Sequence, residues 1–484
     1  MDVSTRTTPH ATLWSLPPRN VRVTGGFWKH QQATNRGITL RDGYQKLEQA
    51  GNFGNLRRAA GQSDEQYQGP VFMDEDVYKW LEAVSDEIGN APDPELAEMA
   101  DSTIALLTAA QQDDGYLDSY YQVVAPDQKW SDLDHGHEMY CAGHLIQAAI
   151  AHHRATGSNA LLRIAVRLAD HIDSIFGPGR RDGTCGHPEI EMALVELYRE
   201  TGEERYLRLA RALVDRRGRN KMVGLDSYGP EYHQDRVPVR EAQQVEGHAV
   251  RQLYLTSGVT DIYMETGERA LLDAMNRLWH DATAHKMYVT GGFGSRFEGE
   301  SFGDPYELPS DRCYCETCAA VGSLIWNWRM LLATGEVRFA DELERVLYNG
   351  FLSGRALDAR HYFYMNPLES REGEERPAWH RVACCPPNIM RLVATVGHYL
   401  ATTTERGVQV HQYMSARVRA GSESQRRTVG LETDYPWNGR VRVTVEETGD
   451  EPWELSLRIP AWVAGAEPQL TVNGTEAGAS YSGG

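Results

Sequence analysis

Between about residues 30 and 402, apolar residues return every three or four positions in segment after segment. The clearest are "ELAEMADSTIALLTAAQ" (95–111), "HEMYCAGHLIQAAIAHHRATG" (137–157) with "SNALLRIAVRLADHIDSIFG" after it, and "HPEIEMALVELYRETG" (187–202) with "EERYLRLARALVDRRG". "HAVRQLYLTSG" (248–258) leads on to "ERALLDAMNRLWHDA", and "ETCAAVGSLIWNWRMLLATG" (316–335) to "EVRFADELERVLYNG". This period predicts helical hairpins. Thr-Gly or Ser-Gly stands at the expected helix ends, where glycine accepts the left-handed C-terminal conformation. The Thr-Gly turns at 156–157, 201–202 and 334–335 are unevenly spaced, which disfavours a strict solenoid and favours a closed ring of hairpins with insertions on one face. His137, His187, His248 and Glu316 each open a unit, so a ring would gather them at one mouth.

Near residue 403 the period changes to two. "GVQVHQYMSARVRAG", "RTVGLETDYPWNGRVRVTVEETG", "WELSLRIPAWV" and "PQLTVNGTEAG" predict an antiparallel β domain, with "VNGT" at 472–475 as a hairpin turn. Too few strands remain before "SYSGG" to close a sandwich unless N-terminal segments such as "NVRVTGG" (20–26) join it. The expected organisation is therefore an N-terminal segment (1–29) that can add to the β domain, a helical domain (30–402) and a short β-sandwich (403–484).

Composition is that of an ordinary globular chain, 41% apolar and 24% charged. The net charge of −19 leaves no basic stripe for a nucleic acid and no attraction to an anionic membrane surface. "MDVSTRTTPHATLWSLPP" has no apolar signal region, and no segment approaches the roughly 18–20 apolar residues of a membrane span. A cytoplasmic setting with reduced thiols is expected.

Seven cysteines are too few and odd in number for a disulfide framework, and five of them fall in "CYCETC" (313–318) and "ACCPPN" (383–388). Thiolate, imidazole and carboxylate are the ligands of zinc. Glu316 and Cys318 at a helix start, with the adjacent Cys384 and Cys385, make a reasonable Cys3Glu set for Zn2+; Cys313 and Cys315 compete for the same role. The prolines after Cys385 predict an extended, non-helical backbone there. Cys141 and Cys185 stand alone and read as buried apolar residues. The glycine-rich loop 291–312 supplies candidate acids in Glu298, Glu300, Asp304 and Glu307.

These pieces, together with "VFMDEDVYKWLEA" (71–83), "HEMYCAGH" (137–144), "GHPEIEMALVELYR" (186–199), "EGHAVRQLYL" (246–255), "GESFGDPYELP" (299–309), "ETCAAVG" (316–322), "YFYMNPLES" (362–370) and "ACCPPNIMR" (383–391), resemble glycoside hydrolase family 127. They run in family order over about 70–400. The resemblance implies a mainly α fold, an (α/α)6 barrel followed by β-sandwich domains, and β-L-arabinofuranosidase activity. It implies zinc on Glu316, Cys318, Cys384 and Cys385, Cys384 as nucleophile and Glu300 as general acid/base. His137, His187, His248 and Tyr364 fall at positions that face the sugar. Two departures stand out: the β region is shorter than the resemblance implies, and Cys313 and Cys315 add thiols not expected there.

A thiolate can replace the carboxylate nucleophile of a retaining glycosidase if its pKa falls, and coordination to a divalent cation achieves that. The expected protein is a retaining glycosidase for small neutral β-L-arabinofuranosides, with a homodimer as the assembly to test. The alternatives are a hydrolase of the same scaffold for another rare sugar, such as a branched acidic deoxy sugar, an epimerase, and a carbohydrate-binding protein with structural zinc.

Overall fold

The structure, a computed structural model, describes residues 3–4, 8–219, 228–370, 373–422, 425–463 and 468–478. The closing "SYSGG" (480–484) lies outside them.

Among the described residues, six helices form an inner ring: Asp74–Asn90, Glu138–Thr156, Ile190–Thr201, Ala249–Thr266, Thr317–Thr334 and Cys385–Thr395. Each packs on the next, and the last packs back on the first, so the ring closes. Between them run the outer helices Pro94–Ala110, Ala160–Phe176, Glu204–Arg216, Arg269–Asp281 and Val337–Arg345. The sixth outer position is filled from the N-terminus by Gly26–Thr34 and Leu40–Ala50, which pack against the last and first inner helices. This is the (α/α)6 barrel. Sequence separates the two layers. Ala160–Phe176 buries Leu161, Ile164, Ala165, Leu168, Ala169, Ile172 and Phe176, one face at helical spacing. Thr317–Thr334 is buried all round, as a helix between two layers must be.

Glycines 157, 202, 267 and 335 end inner helices with φ of 77°, 75°, 69° and 74°. The Ser-Gly pair at 257–258 does not end one; the helix runs on to Thr266. Gly258 is there for closeness. A Cβ on it would lie 2.8 Å from the Glu191 Cβ and 3.0 Å from the Met192 nitrogen of the neighbouring inner helix. Helix Cys385–Thr395 corrects a second expectation. Pro386 and Pro387 stand in its first turn, where a missing N–H costs nothing, so the backbone after Cys385 is helical.

At the end of the ring where the inner helices finish, buried charges tie neighbours together. Arg199 pairs with Asp261 (2.8 Å), Glu265 (2.5 Å) and Glu196 (3.0 Å), and Arg329 reaches the second oxygen of Asp261 at 2.6 Å.

From Ala401 the chain forms strands. One sheet has the order β1 (Trp14–Ser15), β3 (Ala401–Thr403), β4 (Gly407–Val410), β8 (Glu454–Leu457). The other runs β2 (Val21–Val23), β5 (Ala416–Ala420), β6 (Arg427–Thr433), β7 (Val441–Glu447). Both begin with an N-terminal strand, Trp14 opposite Thr403 and Val21 opposite Val418. The pairing is not wholly antiparallel. β8 lies parallel to β4, because the chain leaves β7 in one sheet and crosses to the edge of the other, where no hairpin fixes its direction. β9 (Thr471–Val472) and β10 (Thr475–Glu476) make a hairpin across Asn473 and Gly474, both at positive φ. Arg458 docks this domain on the barrel through Asp341 (2.5 Å) and Glu344.

Alanine is better than glycine in a free helix by about 1 kcal/mol. In the packed ring the sign reverses: Gly258→Ala should destabilise the protein by about 1–3 kcal/mol through overpacking. Thermal unfolding reads this directly, and an unchanged or raised midpoint contradicts the close-packing account.

Candidate active site

The inner helices all run the same way, since an outer helix returns the chain after each. Their first residues therefore share one mouth. His137 and His248 are the N-caps of Glu138–Thr156 and Ala249–Thr266, His187 stands just before Ile190–Thr201, and Glu316 is the N-cap of Thr317–Thr334. The rings of His137 and His187 are 5.6 Å apart, as are those of His187 and His248. Tyr140 packs on His187 at 4.1 Å.

The three imidazoles are neutral. Burial drives the His137 pKa down to about 3, and burial with the nearby Arg251 guanidinium drives His187 well below its ordinary value. His248 has a defined tautomer. Its Nδ1 accepts from the backbone N–H groups of Val250 (3.2 Å) and Arg251 (3.4 Å), so the proton is on Nε2. That Nε2 lies 3.1 Å from Glu300 Oε2.

Glu300 sits at the tip of a small hairpin in which Arg296 and Ser301 exchange backbone hydrogen bonds of 3.1 and 3.2 Å. The Phe302 N–H donates to Gly247 O at 2.9 Å, which ties the hairpin to the segment entering His248. Gly299 (φ 70°) and Glu300 (φ 52°) are both left-handed, a costly backbone for glutamate that turns its carboxylate toward the histidine. Burial opposes ionisation of Glu300. The hydrogen bond from His248, with one from Tyr314, outweighs it and holds the pKa near 2. The Tyr364 hydroxyl faces the same Oε2 at 3.5 Å, and the Tyr364 carbonyl accepts from the Thr317 N–H at 2.9 Å.

Beneath this pair lies the thiol cluster. Cys318 Sγ is 3.3 Å from both Cys384 Sγ and Cys385 Sγ, and Cys384 and Cys385 are 3.9 Å apart. Glu316 Oε1 is 3.4 Å from Cys384 Sγ and 3.8 Å from Cys385 Sγ. All are buried free thiols or carboxylate. The 3.9 Å sulfur–sulfur edge matches the roughly 3.8 Å edge of a tetrahedron with 2.3 Å metal–sulfur bonds, and the two at 3.3 Å are shorter than it. Electrostatics points the same way. Burial and the neighbouring Cys384 raise Glu316 well above its ordinary range, and its Oε2 has no hydrogen-bond partner. Contact with Cys318, then burial, raises Cys384, and burial raises Cys385. Burial opposes ionisation of Cys318 too, but the hydrogen bonds from Cys384 and Cys385 outweigh it and lower its pKa. A buried acidic set, three of whose four anionic forms are suppressed by burial and crowding, is one that a divalent cation would satisfy. Glu316, Cys318, Cys384 and Cys385 can hold a metal ion, their donor atoms lying within 4.8 Å of one another. Cys313 and Cys315 do not join them; they pack in a separate patch with Tyr288. Cys141 and Cys185 are buried elsewhere in the core.

Several residues of the site were not singled out by the sequence. Asn388 donates to Cys318 Sγ at 3.0 Å and accepts from Arg391 Nε at 2.7 Å. Arg391, wholly buried, also reaches Glu82 (3.0 Å), Gln147 (2.7 Å) and Tyr254 (2.9 Å), on three other inner helices. Lys79 pairs with Glu75 and donates to the Tyr140 hydroxyl at 3.1 Å. All of them fall on segments quoted above. The one available signal was the charge, Arg or Lys, at an otherwise apolar helical position.

Comparison with known proteins agrees with this geometry. The family model described as β-L-arabinofuranosidase, GH127 catalytic domain, matches residues 20–398, and the GH127 middle domain matches 407–484. A non-reducing end β-L-arabinofuranosidase of Bifidobacterium longum subsp. longum is 39% identical, over 96% of this chain and 79% of that one. The crystal structure of a GH127 β-L-arabinofuranosidase from Geobacillus stearothermophilus T6 superposes with a TM-score of 0.90 at 39% identity, covering 95% of this chain and 77% of that one. A further GH127 β-arabinofuranosidase gives 0.92 at 34% identity, with 98% and 78% covered. With both its helical and its strand region matched in order, the chain belongs to glycoside hydrolase family 127.

Proposed function

We propose that the protein hydrolyses β-L-arabinofuranosides, releases L-arabinofuranose with retention at the anomeric carbon, and uses Cys384 as nucleophile and Glu300 as acid and base. The observation that carries the reading is the joining of two clusters. Glu316, whose carboxylate touches Cys384, also lies within 4.8 Å of the His248–Glu300 pair. A nucleophile and a proton donor brought beside one shared carboxylate supply the two groups that a double displacement requires.

Glu316, Cys318, Cys384 and Cys385 are the residues that would hold zinc. Zinc bound there supplies the charge that keeps a buried thiol ionised at neutral pH and fixes its position. Of the adjacent cysteines, Cys384 is the one that keeps some surface, 9% exposed against 0% for Cys385. Since both backbones are helical, this exposure separates them, and proline restriction does not.

In the first step the Cys384 sulfur forms a bond to the anomeric carbon while the glycosidic C–O bond breaks and Glu300 gives its proton to the leaving oxygen. In the second, Glu300 takes a proton from water, the water oxygen bonds the anomeric carbon, and the C–S pair returns to sulfur. Resting Glu300 is ionised because His248 donates to it. A leaving oxygen wedged beside that carboxylate weakens the bond and leaves burial, which favours the protonated form. His137, His187 and Tyr364 line the same mouth as neutral groups suited to sugar hydroxyls, so none adds a charge that the neutral substrate would have to meet.

Metal analysis of freshly purified protein should find one zinc per chain, and a Cys384→Ala/Cys385→Ala variant should bind none. Absence of zinc from the wild type, or full occupancy in the variant, removes the ligand assignment. Glu300→Gln should stay folded and metal-loaded yet lose turnover by roughly 10²–10⁴-fold, less on substrates with activated leaving groups that need no proton. Equal losses on good and poor leaving groups would give Glu300 another role. A slow substrate or cyclophellitol-type trap should label Cys384, with retained product by NMR. An adduct on Cys385 or a glutamate would move the nucleophile, and an inverted product would eliminate it.

A further inference from the structure

The hairpin that carries Glu300 has a second use. Its residues Arg296, Phe297 and Glu298 form one wall of a cavity of about 1090 Å³, and Tyr306 and Phe363–Met365 form others. Tyr364 belongs to both spaces: it lines the cavity, and its hydroxyl is 3.5 Å from Glu300 Oε2. We infer that this cavity is the leaving-group subsite and that it takes a neutral oligosaccharide of more than one ring. The assignment rests on Glu300 being the acid of the proposed reaction.

Position is the first reason. The leaving oxygen takes its proton from Glu300, so the rest of the leaving group must start beside that carboxylate and continue away from the histidines and thiols. The cavity begins one side chain away, at Tyr364. Size is the second. Small-molecule sites span about 300–1,000 Å³; this one is at the top of that range and holds more than a single sugar ring.

Surface chemistry is the third reason, and it selects the ligand class. Phe297 and Tyr306 are 63% and 71% exposed, and Met365 is 39% exposed. Large apolar side chains left open around one cavity mark a binding surface, and aromatic faces suit the C–H faces of sugar rings. Glu298, Glu374 and Glu375 offer acceptors for hydroxyls. Arg296 is not free to select an anion, and Arg312 is 81% exposed beside an acidic neighbour. Arg296 is held by Glu307 (2.6 Å) and Asp304 (3.1 Å), and Arg312 lies 3.6 Å from Asp311. Carboxylates outnumber arginines in the lining, which disfavours acidic or phosphorylated leaving groups.

The test compares kcat/KM of the intact enzyme and its Phe297→Ala/Tyr306→Ala variant on two substrates: 4-nitrophenyl β-L-arabinofuranoside and a β-L-arabinofuranosyl trisaccharide. Binding energy taken from remote rings serves only the longer substrate, so the trisaccharide-to-nitrophenyl ratio should fall about tenfold in the variant. Phe297→Tyr, which keeps the ring, should preserve the ratio. A ratio that stays within about twofold in the double variant overturns the subsite, whether both activities hold or both fall together. So does a loss in Phe297→Tyr as large as in the double variant. Failure of the underlying reading is seen separately: a wild type that turns over neither arabinofuranoside is not the proposed hydrolase, whatever the variants do.

Discussion

Six parallel inner helices aim their N-termini at one spot, and the site follows from that constraint. Each helix start carries a partial positive charge of about half an elementary unit and a set of unpaired N–H groups. The residues at those starts are anionic or can become so: Asp74, Glu75 and Asp76 in one first turn, Glu138 in the next, Glu316 and Cys318 in the fifth, Cys384 and Cys385 in the last. Acidic groups can be crowded there because the fold supplies a field that favours them. The same residues on the other ends of these helices would meet partial negative charge. That end instead pairs its acids with buried arginines, Arg199 and Arg329.

Holding so many acidic groups together also requires rigid support. Cys318 and the Cys384–Cys385 pair come from neighbouring helices that touch only through side chains. Arg391 fixes their relation. It is one turn and a half into the last inner helix, and its guanidinium bonds Asn388 below the thiols and partners on three further helices. Asn388 then donates to Cys318. Partners of this kind orient metal-binding side chains, and losing them loosens a site whose ligands are all present.

The sequence made much of this visible and hid the rest for definite reasons. Helical period revealed the barrel hairpins because outer helices keep one dry face, and inner helices carry long apolar runs. It misplaced the end of Ala249–Thr266, since Ser257-Gly258 looks like a stop signal and the reason for Gly258 is a neighbouring helix far away in sequence. It misjudged Cys385 because the rule that proline disfavours a preceding helical residue gives way at a helix start. The direction of β8 was hidden because the alternation of a strand is the same whichever way it runs. Spacing could not separate Cys313 and Cys315 from the metal set; Cys315 sits at φ 39°, and that turn sends the pair toward Tyr288. Motif pieces singled out His137, His187, His248, Glu300 and the four clustered donors, whereas Arg391 offered only a charge within an apolar helical stretch, a signal too weak to name its partners.

The balance of charge at the mouth bears on what the site can accept. The histidines are neutral by burial and by the nearby guanidinium of Arg251, and in the lining beyond Tyr364 carboxylates outnumber arginines, with Arg296 held by Glu307. A carboxylated sugar entering here would lose its hydration and gain no partner, a desolvation cost without return. A neutral furanose loses only hydroxyl hydration, which neutral imidazoles and a phenol can replace one for one. Of the rivals left by the sequence, the hydrolase for an acidic deoxy sugar is therefore the one that the electrostatics of this mouth disfavours most.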